Sequence, residues 1–241
     1  MQFFPIKTST MNPPKDDLFQ VFDKYIFDVK ENDIIFITSK IVAIHQGKCI
    51  KTEKINKKDL IEKEKDEWIK SDIVPWRDIY LTIKNNTLIA SAWVDESNAN
   101  WFYILWPENL EKISQEIHNY FCKRFNIKNL WIIITDSATR PLKLWVVGIW
   151  IYSYGINPIR DERWKKDIFW RDLKITQINI IDSLTPIAVY LMWEGSEKSW
   201  IVIWRDINWV EFSTKYKYED INIKIKKDLY YPILKNFYEN K

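Results

Sequence analysis

Short runs of β-branched residues predict most of the strands in this chain. The segments 33–38 and 41–44 are rich in isoleucine and valine, and each is typical of a buried strand. Residues 79–83 and 88–92 predict a hairpin that turns at residues 84–87. The same kind of pattern predicts further strands at 130–135, 146–151 and 201–204.

Three other segments show helical spacing of their apolar residues. Residues 57–70 form a charge-rich helical pattern, and Pro107 opens a strongly amphipathic segment that runs to Phe125. Residues 177–192 also predict a helix, which Pro186 should kink or interrupt. Helices do not regularly separate the strands, so the pattern favours an α+β fold over a doubly wound sheet.

Length and composition describe an ordinary globular protein. The 241 residues include 46% hydrophobic and 29% charged residues, enough for one large domain or two small ones. There is no run of 18 apolar residues and no signal-peptide pattern, so we expect a cytoplasmic protein without a membrane span. Cys49 and Cys122 lack metal-type spacing and are expected to be reduced. A net charge of +3 gives no argument for nucleic-acid binding.

The balance of tryptophan and glycine is anomalous. The chain has fourteen tryptophans and four glycines, whereas glycine usually supplies about 7% of residues. Trp93, Trp164, Trp170 and Trp193 stand in contexts typical of a turn or a close backbone approach. We therefore hypothesise that the gene reads UGA as glycine and that the printed sequence places tryptophan there. A tryptophan-rich core or an aromatic ligand site is the alternative, and Trp106 lies in a context that suits an indole.

Three polar clusters each follow or end an apolar segment. They are residues 95–98 (Asp-Glu-Ser-Asn), residues 135–137 (Thr-Asp-Ser), and the loop that contains Glu194. Carboxylates and hydroxyls are hard oxygen ligands that suit Mg²⁺ or Mn²⁺. Each cluster alone is also typical of turn residues, so it is the combination that indicates a site.

Two basic regions have both a functional and a structural interpretation. Lysines alternate with tyrosines after Phe212, which would suit single-stranded nucleic acid or, as we favour, a solvated edge strand and terminal helix. Arg160, Arg163 and Arg171 would clamp phosphates or carboxylates, or would form ion pairs within their own loop.

Several separated motifs of this chain resemble those of one family and occur in the same order as in that family. Residues 33–42, 91–98 and 132–141, and then segments from 155 to 198, are similar to the γ-glutamyl ligase of the deazaflavin coenzyme F-420. Bacterial homologues labelled folate-metabolism γ-glutamate ligases are the nearest branch. The resemblance covers the chain to about residue 212, with residues 213–241 as an extension packed on that domain. When the motifs are aligned with the family, glycine is the family's residue at the positions of Trp93, Trp145, Trp164, Trp170 and Trp193.

The resemblance implies a fold, an activity and partners. The expected fold is α+β, with mixed sheets, packed helices and two intertwined subdomains in a homodimer. The expected reaction uses GTP or ATP to phosphorylate an acceptor carboxylate, which the amine of L-glutamate then attacks to form an amide. The acceptor is a deazaflavin coenzyme or a folate. A relative that binds a nucleotide or a pterin without catalysis is the alternative.

The resemblance also assigns site residues. Asp95 and Asp136 would hold one Mg²⁺ or Mn²⁺ ion and Ser137 and Glu194 a second, with Asp95, Asp136 and Arg171 as catalytic residues. Ser137 stands where the coenzyme ligases commonly have threonine, and Ile44 stands where they tend to carry lysine, which leaves the choice between GTP and ATP open. The implied nucleotide contacts are Ser9, Thr10, Met11, Asn12, Ser39, Lys40, Asn98, Met192, Trp193, Glu194, Gly195, Ser196, Glu197, Lys198 and Ser199.

Overall fold

A five-stranded mixed sheet forms the centre of the protein. The computed structural model describes residues 1–68, 79–207, 210–216 and 221–235. The sheet contains β1 (Gln2–Ile6), β2 (Ile34–Thr38), β8 (Trp131–Thr139), β9 (Val146–Tyr154) and β12 (Ile201–Arg205). Its order is β1-β12-β2-β8-β9, in which β2 and β8 pair in parallel and the other neighbours pair antiparallel.

Smaller elements surround this sheet. The short strands pair as β3 with β7, as β10 with β11, and in the order β4-β5-β6. These strands are β3 (Cys49–Lys51), β4 (Glu67–Trp68), β5 (Leu81–Lys84), β6 (Thr87–Ala90), β7 (Phe102–Ile104), β10 (Ile159–Asp161) and β11 (Gln177–Asn179). The helices are α1 (Leu18–Tyr25), α2 (Ser39–His45), α3 (Lys57–Glu64), α4 (Leu110–Phe125), α5 (Ile180–Met192) and α6 (Tyr231–Leu234).

Both faces of the central sheet are covered, which explains why its strands are continuous apolar runs. Ile35 and Ile37 of β2 face a core that also contains residues from α1, α2 and α4. Ile34 and Phe36 alternate to the opposite face, where they join a second core formed with α5. The predicted α+β class is confirmed, and so is the hairpin, which turns between β5 and β6.

One predicted strand is a helix. Residues 41–44 lie inside α2, with all four side chains buried. A short apolar run cannot distinguish a buried helix from a buried strand, and here the chain turns directly out of β2. The prediction was wrong because β-branched residues tolerate a helix that is packed on several sides.

Several boundaries also differ from the predictions. The first helix pattern ends at Glu64 and is followed by β4, while residues 69 and 70 lie outside the described residues. The amphipathic helix α4 begins at Leu110, three residues after Pro107. Residues 177–179 form β11, and α5 continues through Pro186 without interruption.

The end of the predicted strand 130–135 is the difference that matters for function. Strand β8 continues to Thr139, so Asp136 and Ser137 lie within it. Its pairing with β9 is irregular, because Ile134 pairs with Tyr152 and Thr135 with Trp150, which leaves the extra residue Ile151 on β9. This irregularity in the partner strand lies one residue before Asp136.

The four tryptophans singled out in the sequence have left-handed backbone. Their φ angles are +66° at Trp93, +70° at Trp164, +63° at Trp170 and +62° at Trp193. Residues with a Cβ atom rarely adopt positive φ angles, whereas glycine adopts them without steric cost. The backbone therefore has the conformation that the glycine hypothesis expects.

Two sequence expectations concern membranes and thiols. None of the helices in the described part of the chain has the length and apolar character needed to cross a membrane. Cys49 and Cys122 are both free thiols, as expected, and burial raises the pKa of Cys49 to about 11.

A buried ion pair fixes β12 beside the turn that precedes β2. The carboxylate of Asp33 is completely buried, and Arg205 donates to both of its oxygens at 2.9 and 2.7 Å. The backbone N–H of Lys30 also donates to this carboxylate at 2.8 Å. A buried carboxylate held by a two-pronged guanidinium and a backbone donor is well satisfied.

Replacing Arg205 by methionine should destabilise the protein strongly. The change leaves the Asp33 charge buried without its cation, so we expect the free energy of unfolding to fall by about 3–5 kcal/mol. Denaturant titration measures this loss. Arg163→Met is the matched control, because the Arg163–Asp161 pair is solvent-exposed and should change stability little. Equal losses in the two variants would contradict the assigned role of Arg205.

Candidate functional site

A small cavity lies where the pairing of β2 with β8 ends, beside two loops. Because these strands are parallel and Thr38 pairs with Thr135, the residues that follow Thr38 and Thr135 meet at one edge of the sheet. The cavity has a volume of about 60 Å³. Its lining combines polar residues from the strand edge with the loops at 95–98 and 193–200: Thr38, Lys40, Asp95, Asn98, Thr135, Asp136, Ser137, Val189, Met192, Trp193, Glu194, Gly195, Glu197, Lys198, Ser199 and Trp200.

Asp136 is fully engaged by hydrogen bonds within the protein. Its Oδ2 atom accepts from the hydroxyl of Ser39 and, at 2.8 Å, from the indole Nε1–H of Trp93. Its Oδ1 atom accepts from the backbone N–H of Ser137 at 2.7 Å. The structure thus brings together Ser39, Asp136 and Ser137, and it places the indole of Trp93 on the same carboxylate.

The environment of Asp136 favours its neutral form. Burial raises the pKa of this carboxyl to about 6, and the negative charge of Asp95 adds to the rise. The Ser39 and Ser137 hydrogen bonds and the Lys40 charge act in the opposite direction but do not cancel it. A carboxylate in this situation gains stability when a cation approaches.

Asp95 has the opposite balance. Burial alone would raise the pKa of Asp95, but the Lys40 ammonium and two Ser97 hydrogen bonds bring it below its usual value. The Lys40 Nζ atom lies 2.6 Å from Asp95 Oδ2 and donates to the carbonyl and hydroxyl oxygens of Ser97 at 2.9 Å. Lys40 therefore holds the loop at 95–98 against the start of α2.

Backbone contacts join the surrounding loops. The side-chain amide of Asn98 donates to the carbonyl of Gly195 at 3.1 Å, which ties the loop at 95–98 to the loop after α5. The N–H of Thr8 donates to the carbonyl of Lys198 at 2.9 Å. Residues 9–12 directly follow Thr8, so this contact holds the start of that segment at the loop after α5.

The predicted nucleotide residues differ in how they are exposed. Met11 is buried in the main core, whereas Ser9, Thr10 and Asn12 are exposed. Glu194 and Ser196 are exposed in the loop after α5. In the part of the chain that the structure describes, no three His, Cys, Asp or Glu side chains are grouped so as to hold a metal ion.

Arg171 is not among the cavity residues. Its guanidinium pairs with Asp167 at 3.2 Å on its own exposed loop, and Arg160 and Arg163 pair with Glu162 and Asp161 in the same way. This arrangement matches the structural interpretation of the basic loop, and a catalytic role for Arg171 stays a prediction.

Sequence reasoning missed the direct role of Ser97. This residue lies within the polar cluster at 95–98, in which only Asp95 and Asn98 were predicted to contact the metal or the nucleotide. In the structure Ser97 hydrogen-bonds both Asp95 and Lys40. A serine two residues after an aspartate is a known signal for a local turn, and that signal was available in the sequence.

Larger grooves exist away from these residues. One of about 610 Å³ is lined by residues 52–58 with Tyr80 and Tyr103, and another of about 1080 Å³ lies beside Trp106 and the start of α4. Neither contains a carboxylate from the three polar clusters. The small cavity is therefore the candidate site, because it combines the hard oxygen ligands with a perturbed carboxyl pKa.

The raised pKa of Asp136 predicts a characteristic pH dependence of stability. Between the usual value of 3.8 and about 6 the folded protein keeps this proton and the unfolded chain loses it, so stability is lost as pH rises through this range. Relative to Asp136→Asn, the free energy of unfolding of the parent should fall by on the order of 1–3 kcal/mol from pH 4 to 7. Denaturant titrations at several pH values measure the difference.

Asp161 provides the control for that measurement. Its exposed carboxyl has a pKa lowered to about 2 by Arg163. The parent should therefore gain stability over Asp161→Asn as pH rises from 2 to 4, the opposite sign. A parent and an Asp136→Asn variant with parallel pH profiles would contradict the raised pKa of Asp136.

Comparison with known proteins identifies the family of this chain. The profile of the family described as "F420-0:Gamma-glutamyl ligase" matches residues 5–206. The chain is 30% identical to the coenzyme F420:L-glutamate ligase of Methanocaldococcus jannaschii over 76% of this chain and 78% of the relative. It is 29% identical to the ligase of the same name from Methanosarcina acetivorans over 89% of this chain and 91% of the relative. The chain therefore belongs to the F420-0:gamma-glutamyl ligase family, and it is an enzyme that forms C–N bonds.

Proposed function

We propose that this protein is a nucleotide- and metal-dependent γ-glutamyl ligase that joins L-glutamate to a carboxylate-bearing coenzyme. One observation carries the proposal. Asp95, Asp136, Ser137, Asn98 and Glu194, which were assigned from separate motifs, all line one cavity. These carboxylate, hydroxyl and amide oxygens are the ligand types that a hard cation prefers in phosphate chemistry, although no three carboxylates in the described part of the chain are grouped around one point.

The reaction proceeds in two steps that balance. An oxygen of the acceptor carboxylate attacks the γ-phosphorus, the bond to the β-phosphate oxygen breaks, and a nucleoside diphosphate leaves. The amine of L-glutamate then attacks the acyl carbon, inorganic phosphate leaves, and the amine loses its proton as the amide forms. Both steps develop negative charge on phosphate oxygens, so they need preorganised positive charge.

The donor set fits divalent cations by its chemistry. Asp95 and Asp136 would hold one Mg²⁺ or Mn²⁺ ion, and Ser137 and Glu194 a second. Bound cations would neutralise phosphate charge and orient the reacting groups. The protein's own contribution is to position these oxygens, and the Ser39 hydroxyl and the Ser137 N–H hold the Asp136 carboxylate in place.

Lys40 and the loop after α5 are suited to hold the nucleotide. The Lys40 side chain is 14% exposed, and its ammonium, now on Asp95, can contact a phosphate oxygen at the same edge. Asn98 would contact the nucleotide from the opposite loop, with residues 9–12 and 192–199 completing the binding surface. Ile44, at the position where lysine was expected, is buried in the core and contributes no charge. GTP and ATP both remain candidates.

Two acceptors are consistent with the proposal. The curated relatives are named for coenzyme F420, which favours a deazaflavin acceptor, while a folate acceptor follows from the bacterial branch of the resemblance. Product mass spectrometry with each acceptor and L-glutamate distinguishes the two.

The non-catalytic alternative does not stand, because the chain belongs to a family of ligases that form C–N bonds. One contact opposes cation binding in the sequence as printed: the indole of Trp93 donates to Asp136 Oδ2, the atom that a cation would need. The identity of the residue at position 93 therefore decides whether a cation can reach Asp136.

Asp136→Asn should lower ligase activity by about 10²-fold or more, because it removes one preorganised electrostatic contact to the developing charge. Asp95→Ala should behave similarly. Ligase turnover measured against the Mg²⁺ or Mn²⁺ concentration tests both variants. Asp59→Asn on the exposed surface of α3 is the matched control and should keep full activity. Normal metal-dependent turnover of Asp136→Asn would rule out the proposed role.

We also propose that the protein is a homodimer. Leu142 and Leu144 at the turn between β8 and β9 are almost fully exposed, and Ile168, Phe169 and Ile175 project from the loop after β10. Exposed apolar side chains in such numbers are typical of an association surface. Sedimentation at micromolar concentration should show a dimer that Leu142→Asp with Leu144→Asp dissociates, and a monomeric parent would contradict the proposal.

A further inference from the structure

The tryptophans of this protein fall into two groups by backbone conformation. Six of them have left-handed φ angles, between +58° and +70°. The other tryptophans with described side chains lie outside the left-handed region, and they are Trp106, Trp131, Trp150, Trp200 and Trp204. The left-handed six are Trp93, Trp101, Trp145, Trp164, Trp170 and Trp193.

Side-chain exposure separates the same two groups. Five of the left-handed tryptophans are between 60% and 83% exposed, whereas the five others just named are all buried or half-buried. Large aromatic side chains usually stabilise a fold through burial. An exposed indole on strained backbone gains little from burial and adopts an unfavourable conformation, and of these five only Trp193 has a described ring contact, with Tyr190.

Trp193 shows the backbone requirement most clearly. It follows α5 with φ of +62° and ψ of −179°. This combination lies in a region of backbone space that is essentially restricted to glycine. The position also begins the loop that lines the candidate cavity.

Trp93 is the exception in exposure, and it explains why the group matters for function. Its side chain is buried, and it ends three consecutive left-handed residues, 91–93. Its indole packs edge-on against Trp106 with ring centroids 4.7 Å apart and donates to Asp136 Oδ2. The indole thus fills the space beside the carboxylate that the proposed function assigns to a cation.

We propose that glycine occupies all six left-handed tryptophan positions in the protein as its own cell makes it, and that the missing side chain at position 93 gives a divalent cation access to Asp136. The second half of this proposal rests on the proposed function, while the first half rests on backbone conformation and exposure. Position 101 extends the set of five that sequence context and the family resemblance indicate.

The physical consequences of glycine are the same at all six positions. Without a Cβ atom, the left-handed backbone carries no steric penalty. At position 93 the loss of the indole also removes a hydrogen-bond donor from Asp136 Oδ2 and opens the space beside the cavity. Ser39 and the Ser137 N–H still hold the carboxylate, so its orientation is kept.

The codons of the gene give the first test. We expect UGA at the six left-handed positions and UGG at Trp106, Trp131 and Trp204, which are buried and have ordinary backbone. UGG at position 93 would overturn the proposal for the site. UGG at the majority of the six would overturn it altogether.

Thermal stability gives a test that is independent of activity. Single Trp164→Gly and Trp170→Gly variants should each raise Tm, by roughly 2–4 °C, because they relieve strain and lose no burial. Trp204→Gly is the matched control and should lower Tm, since this side chain is 1% exposed in β12. Unchanged or lower Tm values for the two exposed positions would contradict the proposal.

Cation binding tests position 93 directly. Calorimetric titration with Mn²⁺ should show at least about 10-fold tighter binding to Trp93→Gly than to the printed sequence. Adding Asp136→Asn to Trp93→Gly should remove that gain, and Trp93→Phe, which lacks the N–H but keeps a ring, should gain less. Equal Mn²⁺ affinity of the printed and Trp93→Gly proteins would overturn the access role.

These readouts separate this inference from the proposed function. If the protein with six glycines is more stable and binds Mn²⁺ through Asp136 but forms no γ-glutamyl amide, the ligase proposal fails and the glycine assignment holds. If the printed sequence ligates at the same rate with the same metal dependence, the glycine assignment at position 93 fails and the ligase proposal holds.

Discussion

The parallel pairing of β2 with β8 is the constraint on which the candidate site depends. Its register places Thr38 opposite Thr135, so the residues that follow these two threonines meet at one edge of the sheet. Ser39 then begins α2 and reaches Asp136, which lies within β8. Parallel strands need long connections, so residues almost a hundred positions apart become neighbours only through this pairing.

The charge balance at this edge follows from that arrangement. Two carboxylates, Asp95 and Asp136, share one nearby ammonium, and Lys40 pairs with Asp95. The remaining carboxyl, Asp136, is left in a buried place where its charged form is unfavourable. Positive charge brought by a ligand would restore the balance, and this is the electrostatic reason to expect cation and phosphate chemistry here.

Left-handed backbone is the second constraint, and it acts on the loops around the site. Trp193 lines the cavity, and Trp93, the last of residues 91–93, contacts the cavity residue Asp136. Asparagine supplies left-handed backbone at several other turns of this chain, including Asn98, because its side chain tolerates that conformation. Tryptophan has no such tolerance, so its presence at six of these positions conflicts with the local geometry. Among the described residues, left-handed backbone also occurs at Ser91, Ala92, Leu142, Lys198 and Asp206.

The sequence by itself determined the elements whose pattern was long or local. The amphipathic spacing predicted α4, and the Asn-Asn turn predicted the β5–β6 hairpin. The three polar clusters contain several of the residues that line the cavity. Tertiary structure decided the rest. Residues 41–44 became a helix, β8 extended through Asp136, and the indole of Trp93 met that carboxylate, because burial on several sides, strand pairing and side-chain contacts between distant segments are set by the packed fold and leave no periodic signal in the chain.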